Sequence, residues 1–145
     1  MENPQPNQIS NYPLDGEVQY LFTKTLSRDD MLGLNLDKDS NDYFQGLPNS
    51  LLNQVAKSGL EIEIYTPNCK NWVMMRYEQA NKNFKLDKIE WLDVVVKNGF
   101  RVGDKIDCWS LYHANVGPQG ILSLLIQKAT QDRVENIDDD ATMSS

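Results

Sequence analysis

The residues best suited to chemistry in this 145-residue chain form a run of cations and amides, Arg76-Tyr77-Glu78-Gln79-Ala80-Asn81-Lys82-Asn83. Guanidinium and primary amide groups are planar and can pair with the donor and acceptor edges of base pairs, while long cationic side chains reach phosphates. The same residue types collect in solvated hairpin turns, where water satisfies them. Composition alone leaves both readings open. Arg76 has a further open role, as the cross-hairpin partner of Glu61 or Glu63.

Other chemistries find less support. There is no Gly-rich phosphate loop and no nucleophile elbow around a serine. A zinc site needs several clustered ligands, and the chain holds two cysteines, Cys69 and Cys108, with one histidine, His113. Cys69 and His113 can be imagined as nucleophile and base, but Cys69 falls in a predicted turn and nothing sets His113 beside it. We therefore expect no enzyme, no cofactor, no metal and no small-molecule substrate. Two cysteines do not make a disulfide framework, so both are expected as thiols in a reducing compartment. The apolar runs are too short to span a bilayer, and the N-terminus lacks the basic-then-apolar pattern of a secretory signal.

Residues 1–17 are rich in Asn, Pro and Gln and read as a disordered leader. Strands are expected at Val18 to Phe22, around Leu34 to Leu36, and over Leu60 to Ile64, where apolar and acidic residues alternate. Further strands are expected at Trp72 to Tyr77, Asn83 to Leu86, Lys105 to Tyr112 and Ile121 to Gln127. A helical turn is expected near Arg28 to Leu32. A first helix opens after Pro48, with Asn49 or Ser50 as cap, and closes at Gly59. A second begins at Asp87, with Glu90 three positions on, and ends by Gly99. Trp72, Trp91 and Trp109 all lie in these elements and are expected in the core. The tally is about seven strands and two short helices, a mainly β (α+β) domain over 18–128. Residues 129–145 read as an acidic disordered tail.

The net charge of −7 is unevenly spread. The first 17 residues hold Glu2, Asp15 and Glu17 with no cation, and the tail holds Asp132, Glu135, Asp138, Asp139 and Asp140 against Arg133 alone. Residues 18–128 balance 13 acidic with 13 basic residues, and 70–105 carry eight basic against five acidic. A polyanion responds to local potential, so the overall charge does not exclude one.

The order of several elements resembles the plant-specific B3 DNA-binding domain over roughly 18–127. Leu21-Phe22-Thr23-Lys24-Thr25-Leu26-Ser27-Arg28-Asp29-Asp30 is similar to that family's L-F-x-K-x-L-T-x-S-D opening. Leu47-Pro48 resembles its I/L-P step, and Trp72-Val73-Met74-Met75-Arg76-Tyr77 its W-x-F-R-Y strand. Phe84-Lys85-Leu86-Asp87 with Trp91 resembles Y-x-L-T-x-G-W, and Phe100-Arg101-Val102-Gly103-Asp104-Lys105-Ile106 resembles L-x-x-G-D-x-V/I. The chain departs from the pattern in Leu32 to Asp37, which lacks the basic residues of the family's K-L-N-R-L arm. Asn49 stands where the family has lysine.

The resemblance implies a seven-stranded open β pseudobarrel with two short helices, of the DNA-binding pseudobarrel type. It also implies major-groove binding of double-stranded DNA by two arms, in a nuclear plant transcription regulator with other transcription regulators as partners. One jaw is then Lys24, Ser27 and Arg28, with Lys38 as a flanking contact. The other is the 76–83 connection: Arg76, Gln79 and Asn81 read bases, Lys82 divides between base and backbone, and Asn83 completes the run. Lys70, Lys85 and Lys88 are phosphate candidates. Asp29 and Asp30 are expected to cap the helical turn or orient Arg28. The rival reading is a protein-interaction module on the same fold with weak or lost DNA binding.

Overall fold

The computed structural model describes residues 3–129. Six strands, β1 (Glu17–Thr25), β2 (Leu60–Tyr65), β3 (Lys70–Glu78), β4 (Asn83–Leu86), β5 (Lys105–His113) and β6 (Ile121–Lys128), form one sheet. Their spatial order is β1-β5-β6-β2-β3-β4. Neighbours are antiparallel except β2 and β6, whose parallel pairing sets Glu63 beside Ser123 and Tyr65 beside Leu125. The expected strand at 34–36 is one bridge, Asn35 opposite Lys85, so the sheet has six strands rather than seven. The physical reason is local. Leu36 N donates to Phe84 O and Leu86 N to Leu34 O, after which the chain winds into a 3-10 turn at Lys38–Ser40.

The curled sheet buries its inner face under helices. Ile62, Ile64, Val73, Met75, Ile106, Cys108, Leu124 and Ile126 meet Leu47, Val55, Trp91, Val94 and Val95 in one cluster. The expected helical turn forms as α1 (Arg28–Met31), and one further short helix, α2 (Asn41–Gln45), adds to the expected pair, α3 (Asn49–Lys57) and α4 (Lys88–Asn98). α4 ends in a left-handed cap at Gly99, as its sequence suggests. Its N-cap is Asp87, but that carboxylate makes no cap bond, because Arg76 holds it.

One irregularity in β1 decides which residues face inward. Tyr20 pairs with Trp109, whereas Phe22 pairs with Cys108, so the register slips by one at Leu21. Strict alternation would put Tyr20 and Phe22 on the same face. The bulge instead turns Phe22 into the inner core, while Tyr20 packs on the outer side with its ring 6.3 Å from that of Trp109.

Residues 3–16, expected as a disordered leader, instead cross the outer face of β5 and β6, so the folded unit extends N-terminal to residue 18. Trp109 Nε1 donates to Pro4 O at 3.0 Å, and Gln8 N donates to Gln127 Oε1 at 3.0 Å. Gln127 Nε2 donates to Gln5 O and Asn7 Oδ1. Ile9 is buried with Tyr65, Trp109, Leu111 and Leu125, a second cluster joined by Tyr12. Burying an isoleucine side chain contributes about 1.5–3 kcal/mol. Both faces of β5 and β6 are thus covered, and their apolar runs reflect that. Ala129 N bonds to Lys105 O, while the rest of the acidic tail lies outside the described residues.

Trp91 and Trp109 are buried as expected, but Trp72 is 56% exposed. It projects from β3 on the face opposite Val73 and Met75, where neither helix nor leader covers it.

Candidate nucleic-acid interface

The first candidate arm leaves β1 and returns to the sheet at Asn35, and its shape is set by one buried carboxylate. Asp30 is 1% exposed. Its oxygens accept from Lys24 Nζ at 2.8 Å, Ser27 N at 2.9 Å, Ser27 Oγ at 3.0 Å and Asn35 N at 3.3 Å. Ser27 Oγ in turn accepts from Asp30 N, completing a reciprocal capping box on α1. Trp91 Nε1 donates to Asp30 O at 2.8 Å, tying the arm to α4. Burial pushes the Asp30 carboxyl up, but the Lys24 ammonium and the Ser27 donors outweigh it and hold it below the ordinary range.

Lys24 and Ser27 are therefore already engaged. Lys24 also donates to Asn35 O at 2.8 Å and is only 18% exposed along its side chain, so it braces the arm from within. Arg28 is exposed at the start of α1 and has no carboxylate partner among the described residues. Gly33 lets the arm lie against β4. Its φ is +133°, and a Cβ there would fall 2.8 Å from Lys85 Cε and 2.9 Å from Leu86 O.

The second candidate arm joins β3 to β4. Asn81 Nδ2 donates to Glu78 Oε1 at 2.7 Å, and Lys82 takes the left-handed conformation, φ +53°, at the turn. Such a backbone costs a residue bearing a Cβ about 1 kcal/mol. Asn83, 5% exposed, donates from Nδ2 to Asn35 Oδ1 at 3.3 Å, and its own Oδ1 has no partner. Asn41 Nδ2 donates to Lys82 O at 3.1 Å. The first arm and the α2 segment that follows it thus meet the second arm and β4 at three places: the Asn35–Lys85 bridge, the Asn35–Asn83 amide pair and the Asn41–Lys82 contact.

Between the arms lies an open depression of about 370 Å³ lined by Lys24, Asn35, Leu36, Asp37, Lys38, Asn81 and Asn83. Sequence-predicted Lys24, Lys38, Asn81 and Asn83 converge there, and Lys85 sits beside it over Gly33. Gln79 does not join them. It lines a separate depression of about 320 Å³ with Tyr77, Leu52 and Asn53, toward α3. Arg76 shares its strand face with Glu78, next to Lys85 across the ladder, and its Nε spans both Asp87 oxygens at 3.1 and 2.9 Å. Its Nη1 donates to Ser58 O at 3.2 Å. Asp87, not Glu61 or Glu63, is the partner.

Lys70 lies at the opposite end of β3, 3.6 Å from Glu63 Oε2, about 20 Å along the strand from Arg76. Lys88 is exposed at the first position of α4. Asn35 and the role of Asp30 as a hub escaped the sequence reading. Asn35 falls between two buried leucines, Leu34 and Leu36, and that alternation is the one sign that it points outward.

Cys69 Sγ and His113 Nε2 have unrelated partners, Thr66 Oγ1 at 3.1 Å and Asp15 Oδ1 at 2.9 Å. Both cysteines are free thiols. Among the described residues no acidic, histidine or cysteine cluster fit for a metal occurs, and no helix is long and apolar enough to cross a membrane.

The architecture defines a mainly β protein with a curled six-stranded sheet and a few short helices. No family model matches the chain, and no curated protein sequence matches it. Among solved structures, the Arabidopsis FUS3–DNA complex is similar, with a TM-score of 0.50 and 19% identity over 77% of this chain and 98% of that one. That likeness concerns the fold.

Proposed function

We propose that this chain binds double-stranded DNA, inserting its two arms into the major groove, and that it regulates transcription in a plant nucleus alongside other regulators. The observation that carries the proposal is the joining of the arms. Segments 41 and 48 residues apart in sequence meet at Asn41–Lys82 and Asn35–Asn83, so the amides and cations of both face one depression. The fold it shares with a protein solved in complex with DNA supports the same reading. So does the order of B3-like motifs along the sequence.

Within this proposal the roles differ from one residue to the next. Lys24, Ser27 and Asp30 position the first arm, the buried Asn83 braces Asn35 from within, and Asn35 and Asn81 offer amides to base edges. Arg76, pinned by Asp87 and Ser58, keeps its Nη2 edge for a base. Arg28, Lys38, Lys82, Lys85 and Lys88 supply phosphate contacts, while Lys70, at the far end of β3 and beside Glu63, lies apart from the arms. Gln79 and the exposed Trp72 suit the rival reading, a protein-interaction surface beside or in place of DNA.

The test is a titration of the full chain against labelled mixed-sequence duplex over a salt series. Affinity that falls steeply with salt is expected, the mark of released counterions. Absence of binding at low salt would leave the interaction-module reading standing.

A further inference from the structure

Three chain segments meet at the end of the sheet from which the first arm departs. Leu26 N donates to Asp104 O, Gly103 N to Leu26 O, and Ala129 N to Lys105 O. Around this junction stand four cations, Arg28, Arg101, Lys105 and Lys128. Lys128 is 3.5 Å from Asp104 Oδ2. Arg28, Arg101 and Lys105 are exposed and have no carboxylate partner among the described residues. The acids close by are Asp29, beside Arg28, Asp104, which also accepts from Arg101 N at 2.9 Å, and the buried Asp107, two residues along β5 from Lys105. Cations therefore outnumber acids here, whereas the arm depression mixes Lys24 and Lys38 with Asp37.

We infer that this cationic junction is a docking surface for the chain's own acidic segment 132–140. The segment begins three residues beyond Ala129 and carries Asp132, Glu135, Asp138, Asp139 and Asp140 with Arg133 its sole cation. Three extended residues cover about 10 Å and eleven about 35–40 Å, against a radius of gyration near 14 Å for a domain of this size. Asp132 thus reaches the junction directly, and the Asp138-Asp139-Asp140 run reaches Arg28 and the first arm. Attachment through so short a stretch gives an effective concentration in the millimolar range, so a dissociation constant of about 1 mM half-occupies the surface. A docked segment presents carboxylates where a duplex would bring phosphates, and so competes with DNA as salt is lowered. That last consequence rests on the DNA-binding reading; the docking itself does not.

The test uses the full chain and a full-length variant in which Asp132, Asp138, Asp139 and Asp140 become Asn and Glu135 becomes Gln. Backbone amide resonances of Arg28, Arg101 and Lys105 are followed without DNA between about 20 and 500 mM NaCl, where screening length falls several-fold. In the native chain these signals should move with salt, and in the variant they should already sit near their high-salt positions at 20 mM. Mixed-sequence duplex should bind the variant about tenfold tighter at low salt, with the gap closing at high salt. Coincident low-salt spectra over 26–28 and 101–105 would overturn the inference, and so would displacement confined to distant cations such as Lys57 or Lys70. If those three signals ignore the tail substitutions yet move with inorganic phosphate, the junction is a phosphate site and the tail is not its occupant. If they respond to the substitutions and no duplex binds either form, docking holds and the DNA-binding reading falls.

Discussion

The ammonium of Lys24 sits 2.8 Å from a carboxylate oxygen of Asp30, which is 1% exposed, and this pair joins β1 to the interior of the first arm. Breaking one partner of a buried pair leaves the other charge without compensation, at a cost of about 3–5 kcal/mol. Asp30→Asn should lower unfolding stability by an amount in that range. It should also loosen amide protection over 27–35, as hydrogen exchange would report.

The same carboxyl makes stability depend on acid. Its folded value lies below the ordinary one, so its contribution is full above about pH 4 and drains as pH falls through the folded value. Denaturant melts should show a steeper loss of stability below about pH 4 in the native chain than in Asp30→Asn.

Asp107 behaves in the opposite sense. It is 2% exposed with Thr23 Oγ1 as its side-chain partner, and burial raises its carboxyl above the ordinary range despite that hydrogen bond. Its ionised form is disfavoured by folding, so a neutral amide of the same shape should suit the site better at neutral pH. Asp107→Asn should stabilise the fold at pH 7, with the gain shrinking as pH drops. A destabilised variant at pH 7 would contradict this.

Six strands could be placed from the sequence because their alternation is clear; Leu60 to Ile64, with Glu61 and Glu63 outward, is the plainest case. The leader could not, since Pro4, Gln5 and Asn7 act through carbonyl and amide groups that any polar segment possesses. Its imprint lies elsewhere, in the nearly unbroken burial of β5 and β6, which one covered face does not explain. Trp72 was misjudged for a related reason. A period of two says which residues share a face, not which face is covered. In the site, the cations and amides of 76–83 were visible as types. Which of them are committed internally depended on Asp30, Asp87 and Ser58, contacts made across the fold.

Trp72 offers a direct optical check. With Trp91 and Trp109 buried, acrylamide should quench one tryptophan far more than the other two, and Trp72→Phe should remove that quenchable component. Persistent quenching in the variant would mean the outer faces are covered differently.

Lys82 separates backbone strain from recognition. Glycine adopts φ +53° without penalty, so Lys82→Gly should hold or raise the melting temperature. If Lys82 meets a phosphate, the variant should weaken binding about equally on every duplex and reduce the salt slope by about 1. Arg76→Ala should instead cost roughly 1–3 kcal/mol of binding and relax the choice at one base position. Uniform weakening by Arg76→Ala would make it a backbone contact.

Selection of bound sequences from a random duplex pool, run with the full chain and with its tail-neutralised variant, addresses the central proposal most directly. An enriched motif is expected from at least one form, and Asn35→Ala should blur that motif at a single position without unfolding the protein. Recovery of the input distribution from both forms, at low salt and with folded protein, would contradict DNA recognition by the paired arms.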